Sequence, residues 1–298
     1  MKGIILAGGA GSRLYPTSAI YSKQLTIIYD KPIIYYPLST LMLVGIKEIL
    51  IISNEETIPS YKKLFKNGEH FGMSIEYAVQ DKPRGLAEAF IIGENFICND
   101  SVTMILGDNI FYGKLDFVRN AVKNNSGATV FGYHVEDPKR FGVIEFDDNN
   151  NVLSIEEKPE KPRSNYAVVG LYVYNNEVVE ISKNLKPSAR GEIEITDVNK
   201  EYLKRNKLSV KLFGRGVAWL DTGTPRALLE ASSFIGALED RQGLKVACIE
   251  EVSYMMNYID RIQFKELISN IPNSSYKDYL VKIYKDERLY EEYQREKK

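Results

Sequence analysis

The chain has 298 residues, 44% apolar and 27% charged, values that fit one large globular domain or a main domain with a smaller lobe and exclude a fibre, a repeat array or a disordered tail. Thirty-nine basic residues face 40 acidic ones, a formal net charge of -1, so no basic tract is dense enough to follow a nucleic-acid polymer. Two cysteines and two histidines leave little material for a zinc site or histidine acid–base chemistry. No run approaches the roughly 20 apolar residues of a membrane span, and the opening MKGIILAGG is no signal peptide, so a cytoplasmic protein is expected.

Lys2–Leu6 predicts a short buried strand that stops at LAGGAGSRLYPTS, residues 6–18. Gly8, Gly9 and Gly11 let backbone N–H groups converge on an anion. Arg13 adds a fork of donors for phosphate oxygens, and Lys23 a mobile point charge, enough for a triphosphate from which pyrophosphate departs. This is no Walker A loop, because no Gly-Lys pair follows at the required distance. It is a poor dinucleotide fingerprint, because Leu14 takes the third glycine's place.

Further apolar runs at Ile49–Ile52, Ile75–Val79 and Val102–Leu106 predict strands, with helices over Tyr36–Val44 and Gly85–Ile92. That alternation implies a largely parallel sheet covered on both faces, with ligands at the carboxyl ends of its strands. Gln80 offers both a donor and an acceptor for a pyrimidine edge, and Gly85 allows a base or ribose close approach. In ILGDN, residues 105–109, Asp108 falls at the rim of the sheet, where Mg2+ takes carboxylate and phosphate oxygens together. The following Asn109-Ile110 makes no Asp-x-Asp pair, which speaks against a glycosyltransferase.

From about Thr129 the pattern becomes β-rich, with strands expected at Thr129–Val135, Phe141–Phe146, Val152–Ile155 and Tyr166–Tyr174. Within IEEKP, Lys158 precedes a proline that favours extended backbone, aiming it at a sugar phosphate; in RGEIEITD, Arg190 grips a second anion and Glu192 accepts from sugar hydroxyls. Helices are expected over Glu177–Leu185 and Glu192–Arg205. A strand Gly216–Leu220 ends at Asp221, a second acid for the metal, and helices follow at Pro225–Gln242, Asp260–Leu267 and Tyr279–Tyr293. Taken singly, each of these acids and cations reads equally well as a turn, a cap or a surface ion pair. The fold class is α/β: a mostly parallel or mixed central sheet flanked by helices, a Rossmann-like core with a smaller β-rich sugar-side part and C-terminal helices. Residues 1–248 form the core and 249–298 a helical extension.

Together the segments KGIILAGGAGSRLYPTS, SKQL, PRGLAEAF, ILGDNIFYG, IEEKP, ARGEIEITDVN and GRGVAWLDTGTP resemble the glucose-1-phosphate thymidylyltransferases, in collinear order from residue 2 to about 248. The resemblance implies a homotetramer that joins dTTP to glucose 1-phosphate with Mg2+, forming dTDP-glucose and pyrophosphate for the synthesis of dTDP-rhamnose or another deoxysugar. It implies that Leu6, Gly8, Gly9, Gly11, Arg13 and Lys23 hold the nucleotide, that Gln80 and Gly85 meet the base, and that Asp108 and Asp221 hold the metal. On the sugar-phosphate side it implies Gly142, Glu157, Lys158, Val168, Tyr172, Arg190, Glu192 and Trp219. Arg84, Glu88, Lys114, Met255 and Met256 depart from the family pattern, the last two where a second nucleotide site would carry cations. The alternatives are UTP or another hexose 1-phosphate as substrate, or a non-catalytic sugar-nucleotide sensor.

Overall fold

The computed structural model describes residues 1–9 and 11–296, so Ala10 of the glycine turn lies outside it. The strands in chain order are β1 (Lys2–Leu6), β2 (Ile27–Ile28), β3 (Lys31–Pro32), β4 (Glu48–Ser53), β5 (Ser74–Val79) and β6 (Val102–Leu106), followed by β7 (Asn109–Tyr112) and β8 (Ala128–His134). Then come β9 (Gly142–Phe146), β10 (Val152–Glu157), β11 (Tyr166–Tyr174), β12 (Leu208–Leu212) and β13 (Ala218–Asp221). The main sheet has nine strands in the order β10-β9-β11-β6-β1-β4-β5, with β8 on β11 and β12 on β8. Strands β6, β1, β4 and β5 are parallel, and Ile4, Ile5, Ile49, Ile51 and Ile52 are wholly buried, as strands covered on both faces require. β11 then runs antiparallel to β6, which turns the rest of the sheet into the β-rich half.

This topology positions the cleft. β1 and β6 are neighbours with Leu6 opposite Leu106, so the glycine turn and the Gly107-Asp108 turn emerge side by side at their carboxyl ends. β7 leaves that second turn and pairs antiparallel with β13, setting Asp221 opposite Asn109. Two acids distant in sequence are thereby brought together by a four-residue ladder.

One core fills the face where helix Tyr35–Leu43 lies. Leu38, Leu41 and Met42 belong to it, together with Met255, Phe264 and Leu280 from the C-terminal helices Ile249–Met255, Arg261–Ser269 and Ser275–Lys285. Met255 and Met256 are buried, the usual use of a flexible apolar side chain. Among the described residues no helix is long and apolar enough to cross a membrane.

Polar contacts tie the same helices down. Tyr276 and Tyr279 donate to Glu250 and Glu251, each at 2.6 Å, and Lys31 and Lys245 bridge Asp30 and Glu239 beneath them. Burial pushes the Glu251 carboxyl up to about 7; the Tyr279 hydroxyl opposes this, and Glu239 and Glu250 add to it. An acid whose folded value is raised binds its proton more tightly in the native state, so stability is greatest at low pH and falls as pH rises from the unfolded value toward 7. Glu251→Gln removes that loss: its stability relative to the parent, measured by urea unfolding, is expected to rise between pH 5 and 8, and a pH-independent difference would refute the assignment.

Several expectations shift in the structure. The helix expected over Gly85–Ile92 begins at Glu88, because Gly85 sits at φ 106, outside helical space. The one over Glu192–Arg205 spans Ile195–Lys204 after an extended Glu194, and that over Tyr279–Tyr293 is two helices, Ser275–Lys285 and Glu287–Glu296, separated at Asp286. The strand read as Gly216–Leu220 is Ala218–Asp221, with Asp221 inside the ladder. Lys158 is not extended: it has φ 43, its N–H bonding the Phe141 carbonyl at 3.0 Å as β10 ends. The left-handed region is costly for any residue with a Cβ, and such outliers gather where a side chain must be aimed.

Candidate active site

An open cleft of about 650 Å³ lies over the carboxyl ends of the parallel strands. A smaller compartment of about 190 Å³ adjoins it, and both share Leu86, Leu106, Asp108 and Glu192 in their walls. Leu6, Gly8, Gly9, Gln80 and Gly85 line the small compartment. Arg13, Asp221, Gly142, Glu157, Lys158, Val168, Tyr172, Arg190 and Trp219 line the large one. Gly11 lines neither; its φ of 61 makes the turn that launches Arg13.

Asp108 is fixed from several sides. Lys23 donates to its Oδ2, the Asn109 amide donates to its Oδ1 at 2.9 Å, and the Thr222 hydroxyl donates to its backbone carbonyl at 2.8 Å. Asn109 Oδ1 in turn accepts from Trp219 Nε1 at 2.6 Å and from the Gly170 N–H at 3.2 Å. Asp221 differs: its carboxylate makes no hydrogen bond or ion pair among the described residues. Burial, and then the Asp108 charge, push its pKa up, against the pull of Lys23, Arg13 and Arg140.

Two carboxylates on one cleft wall, one lacking a protein partner, form a donor set of the kind magnesium uses with substrate phosphates and water. Among the described residues no group of three or more acids, histidines and cysteines is arranged so that it could hold a metal ion.

Lys23, expected as a mobile charge, is only 6% exposed and committed to Asp108. Its electrostatic effect on the cleft therefore acts from a fixed point. Arg13, Lys158 and Arg190 remain exposed cations around the cleft. On the far wall Glu157 accepts from Thr196 Oγ1 at 2.6 Å and meets Lys158 at 3.4 Å; Arg190 lies 2.9 Å from Glu194, 3.7 Å from Glu157 and 3.8 Å from Glu192. Burial raises the Tyr172 hydroxyl well above its ordinary value, so it stays a neutral donor.

In the small compartment Gln80 donates to Glu88 at 2.7 Å, and Arg84 braces Glu88 at 2.6 Å while forking onto Asp81 at 2.7 Å. Arg84 and Glu88, which depart from the family pattern, thus form the support that orients Gln80. Gly85 was expected to make room for a ligand. Instead a Cβ there would fall 2.4 Å from the Ile193 carbonyl oxygen, so the glycine is required by the crossing chain as well as bordering the compartment. Lys114 is exposed and belongs to neither compartment.

Sequence reasoning missed Asn109, Arg140, Thr196 and Asn199, all in the wall of the large compartment. Asn109 was legible as the residue after the Gly-Asp turn. Thr196 and Asn199 were masked by belonging to a segment read only as helical.

The nucleotidyl transferase family model matches residues 2–237. A glucose-1-phosphate thymidylyltransferase of Neisseria meningitidis is 52% identical over 287 residues, 96% of this chain and 100% of that protein; one of Mycobacterium tuberculosis is 50% identical over 95% and 99%. Among solved structures, a putative glucose-1-phosphate thymidylyltransferase of Bacillus anthracis in complex with a sucrose superposes with a TM-score of 0.73 at 42% identity, over 78% of this chain and 94% of that one. A UDP-glucose pyrophosphorylase complexed with UDP-glucose gives 0.71 at 26%, over 81% and 99%. The chain belongs to the nucleotidyl transferase family and, within it, to the glucose-1-phosphate thymidylyltransferases.

Proposed function

We propose that this enzyme transfers the thymidylyl group of dTTP to α-D-glucose 1-phosphate, releasing pyrophosphate and forming dTDP-glucose. The observation that carries the reading is a two-part cleft whose halves meet at Asp108, opposite an unpartnered Asp221 and ringed by exposed cations. The relatives' identity over nearly the full chain supports the choice of substrates.

In this reading the base enters the small compartment, where Gln80, held by Glu88, presents its amide, and the backbone N–H groups of Gly8, Gly9 and Gly11 with Arg13 receive the phosphates. The hexose lies in the large compartment by Gly142, Glu157, Val168, Tyr172 and Trp219, with Lys158 and Arg190 on its phosphate and Glu192 on a hydroxyl. Those phosphate oxygens are largely ionised at neutral pH, the second pKa being about 6, so attack needs no histidine base. One of them forms a bond to the α phosphorus of dTTP as the bond from that phosphorus to the β-phosphate bridging oxygen breaks, and the electron pair leaves with pyrophosphate. Asp108 and Asp221 would hold a magnesium ion, which would supply charge neutralisation for the phosphates. Lys23 anchors Asp108, and Arg13 receives the charge that develops on the departing side.

Lys158→Ala is expected to raise the KM for glucose 1-phosphate by at least about tenfold, the loss of one charged hydrogen bond, with the KM for dTTP little changed. Equal effects on both substrates would reject its assignment. The whole reading is tested by magnesium-dependent pyrophosphate release across dTTP, UTP, ATP and GTP with several hexose 1-phosphates. dTTP with glucose 1-phosphate is expected to be the preferred pair. A preference for UTP would move the protein to the uridylyl class, and silence with every pair would make it a sensor.

The same reading makes the protein a cytoplasmic homotetramer. Tyr15, Ile20, Tyr21 and Ile27, exposed within one short stretch, support a subunit contact there. Residues 1–248 are read as the catalytic core and 249–298 as its extension, in keeping with a family match that ends at residue 237.

A further inference from the structure

Gln80 enters the small compartment from the end of β5, with its backbone N–H on the Ser53 carbonyl at 2.8 Å and only 6% of the residue exposed. A carboxamide has two unlike ends, and the one that faces a ligand decides which ligand fits. Here the surroundings choose. Gln80 Nε2 donates to Glu88 Oε2 at 2.7 Å and lies 3.5 Å from the Gly85 carbonyl oxygen. Both neighbours are acceptors, because the Glu88 carboxylate is itself held through Oε1 by Arg84 Nε at 2.6 Å. Turning the amide over would set its oxygen against two others, so the network fixes which end is which.

The carbonyl end is left for the compartment. Gln80 Oε1 accepts no hydrogen bond among the described residues, and it is open where Thr26 Oγ1, the Tyr61 hydroxyl, Ser182 Oγ and Asn199 Nδ2 are sealed. The side chain lines the compartment beside Gly8 and Gly9. A Cβ on Gly8 would stand 3.2 Å from that oxygen, so the missing side chain keeps its approach clear. A lone acceptor is matched by a donor. The N3–H of thymine or uracil is one, whereas cytosine held in the same pose turns the bare lone pair of its N3 on the oxygen and is repelled.

We infer that Glu88 is a positioning residue: with Arg84 behind it, it fixes the Gln80 amide so that an acceptor faces the base, which selects thymine or uracil, with their ring N–H, against cytosine. The inference rests on the proposed nucleotidyl transfer and on the base occupying this compartment. It assigns the rejection of cytosine to a residue that lines neither compartment and acts only through Gln80.

The test compares kcat/KM for dTTP, dUTP and dCTP with glucose 1-phosphate in the parent, in Glu88→Gln, and in Glu88→Gln combined with Arg84→Ala. In the single variant Arg84 still calls for an acceptor, so the introduced amide turns its carbonyl to Arg84 and its NH2 to Gln80. Gln80 then inverts and presents a donor. The dTTP-to-dCTP ratio of kcat/KM is expected to fall at least about tenfold, the scale of one neutral hydrogen bond replaced by a mismatch, with dUTP following dTTP and the KM for glucose 1-phosphate unchanged. Removing Arg84 as well frees the introduced amide to turn its carbonyl to Gln80, and the ratio should recover toward the parent's, a rescue that a merely structural role for Glu88 would not give. Isothermal titration of the same triphosphates with magnesium reads the same preference as a ratio of Kd values without turnover. An unchanged ratio in Glu88→Gln, or an equal loss on all three triphosphates in a variant that melts with the parent, would overturn the inference, as would a parent that prefers dCTP. A parent that prefers dUTP, or that turns over nothing yet binds dTTP over dCTP, defeats the thymidylyl-transfer reading and leaves the Glu88 assignment standing. A parent that binds none of the three defeats both.

Discussion

Asp108→Asn and Asp221→Asn are each expected to lower kcat at saturating magnesium by at least about 10²-fold, the scale of one preorganised electrostatic contact, yet to move stability in opposite directions. Asp108 is the partner of a lysine that is only 6% exposed, so its neutralisation strands a buried ammonium and is expected to cost about 2 kcal/mol, as for a hydrogen bond to a charged group. Asp221 has no such partner, and burial and Asp108 already push its pKa up. Its raised value means that native stability falls as pH rises through its titration, so at neutral pH the asparagine removes a cost and the variant should unfold at a higher temperature than the parent. An acid that weakens the ligand-free fold is retained for what it binds. Thermal melts at pH 7 in chelator alongside single-turnover rates read both effects. A near-parental rate for either variant would remove that residue from the chemistry.

Gly85→Ala is the second large effect, and it strikes the fold before the site. Its φ of 106 is open only to glycine, and the added methyl would meet the Ile193 carbonyl oxygen at 2.4 Å and its nitrogen at 2.5 Å. Those are backbone atoms held by the hydrogen bonds of Ile193 N–H to Arg84 and of Ala87 N–H to Ile193, so a rotamer change cannot relieve the clash. Strained backbone and forced displacement together are expected to cost at least about 3 kcal/mol. The 190 Å³ compartment would be deformed with them, so the KM for dTTP should rise in whatever fraction folds. Chemical denaturation with parental stability would show that the chain crossing at Ile193 is softer than this packing implies.

The sequence made the parallel half of the sheet plain because strands buried on both faces read as unbroken apolar runs: ILAGG after β1 and ILGDN after β6 announce both their ends and the turns that follow. It made the two acids visible, but their meeting depends on the β7–β13 ladder. Asn109–Tyr112 is too short to have been read as a strand at all. The state of Lys23 was hidden for a related reason: nothing local in SKQL shows that its ammonium lies buried against an aspartate 85 positions on. Lys158 misled because the proline after it argues for extended backbone, whereas the end of the β9–β10 pairing holds it left-handed. Arg84 and Glu88 looked like departures from a pattern until their contact with Gln80 gave them one purpose.

The most direct measurement is a crystal structure of the enzyme with dTDP-glucose and magnesium. The base should lie against Gln80, the pyrophosphoryl group and one ion between Asp108 and Asp221, and the hexose in the compartment walled by Glu157 and Tyr172. A nucleotide sugar bound elsewhere, or those two acids apart with no ion at the phosphates, would contradict the account at its root.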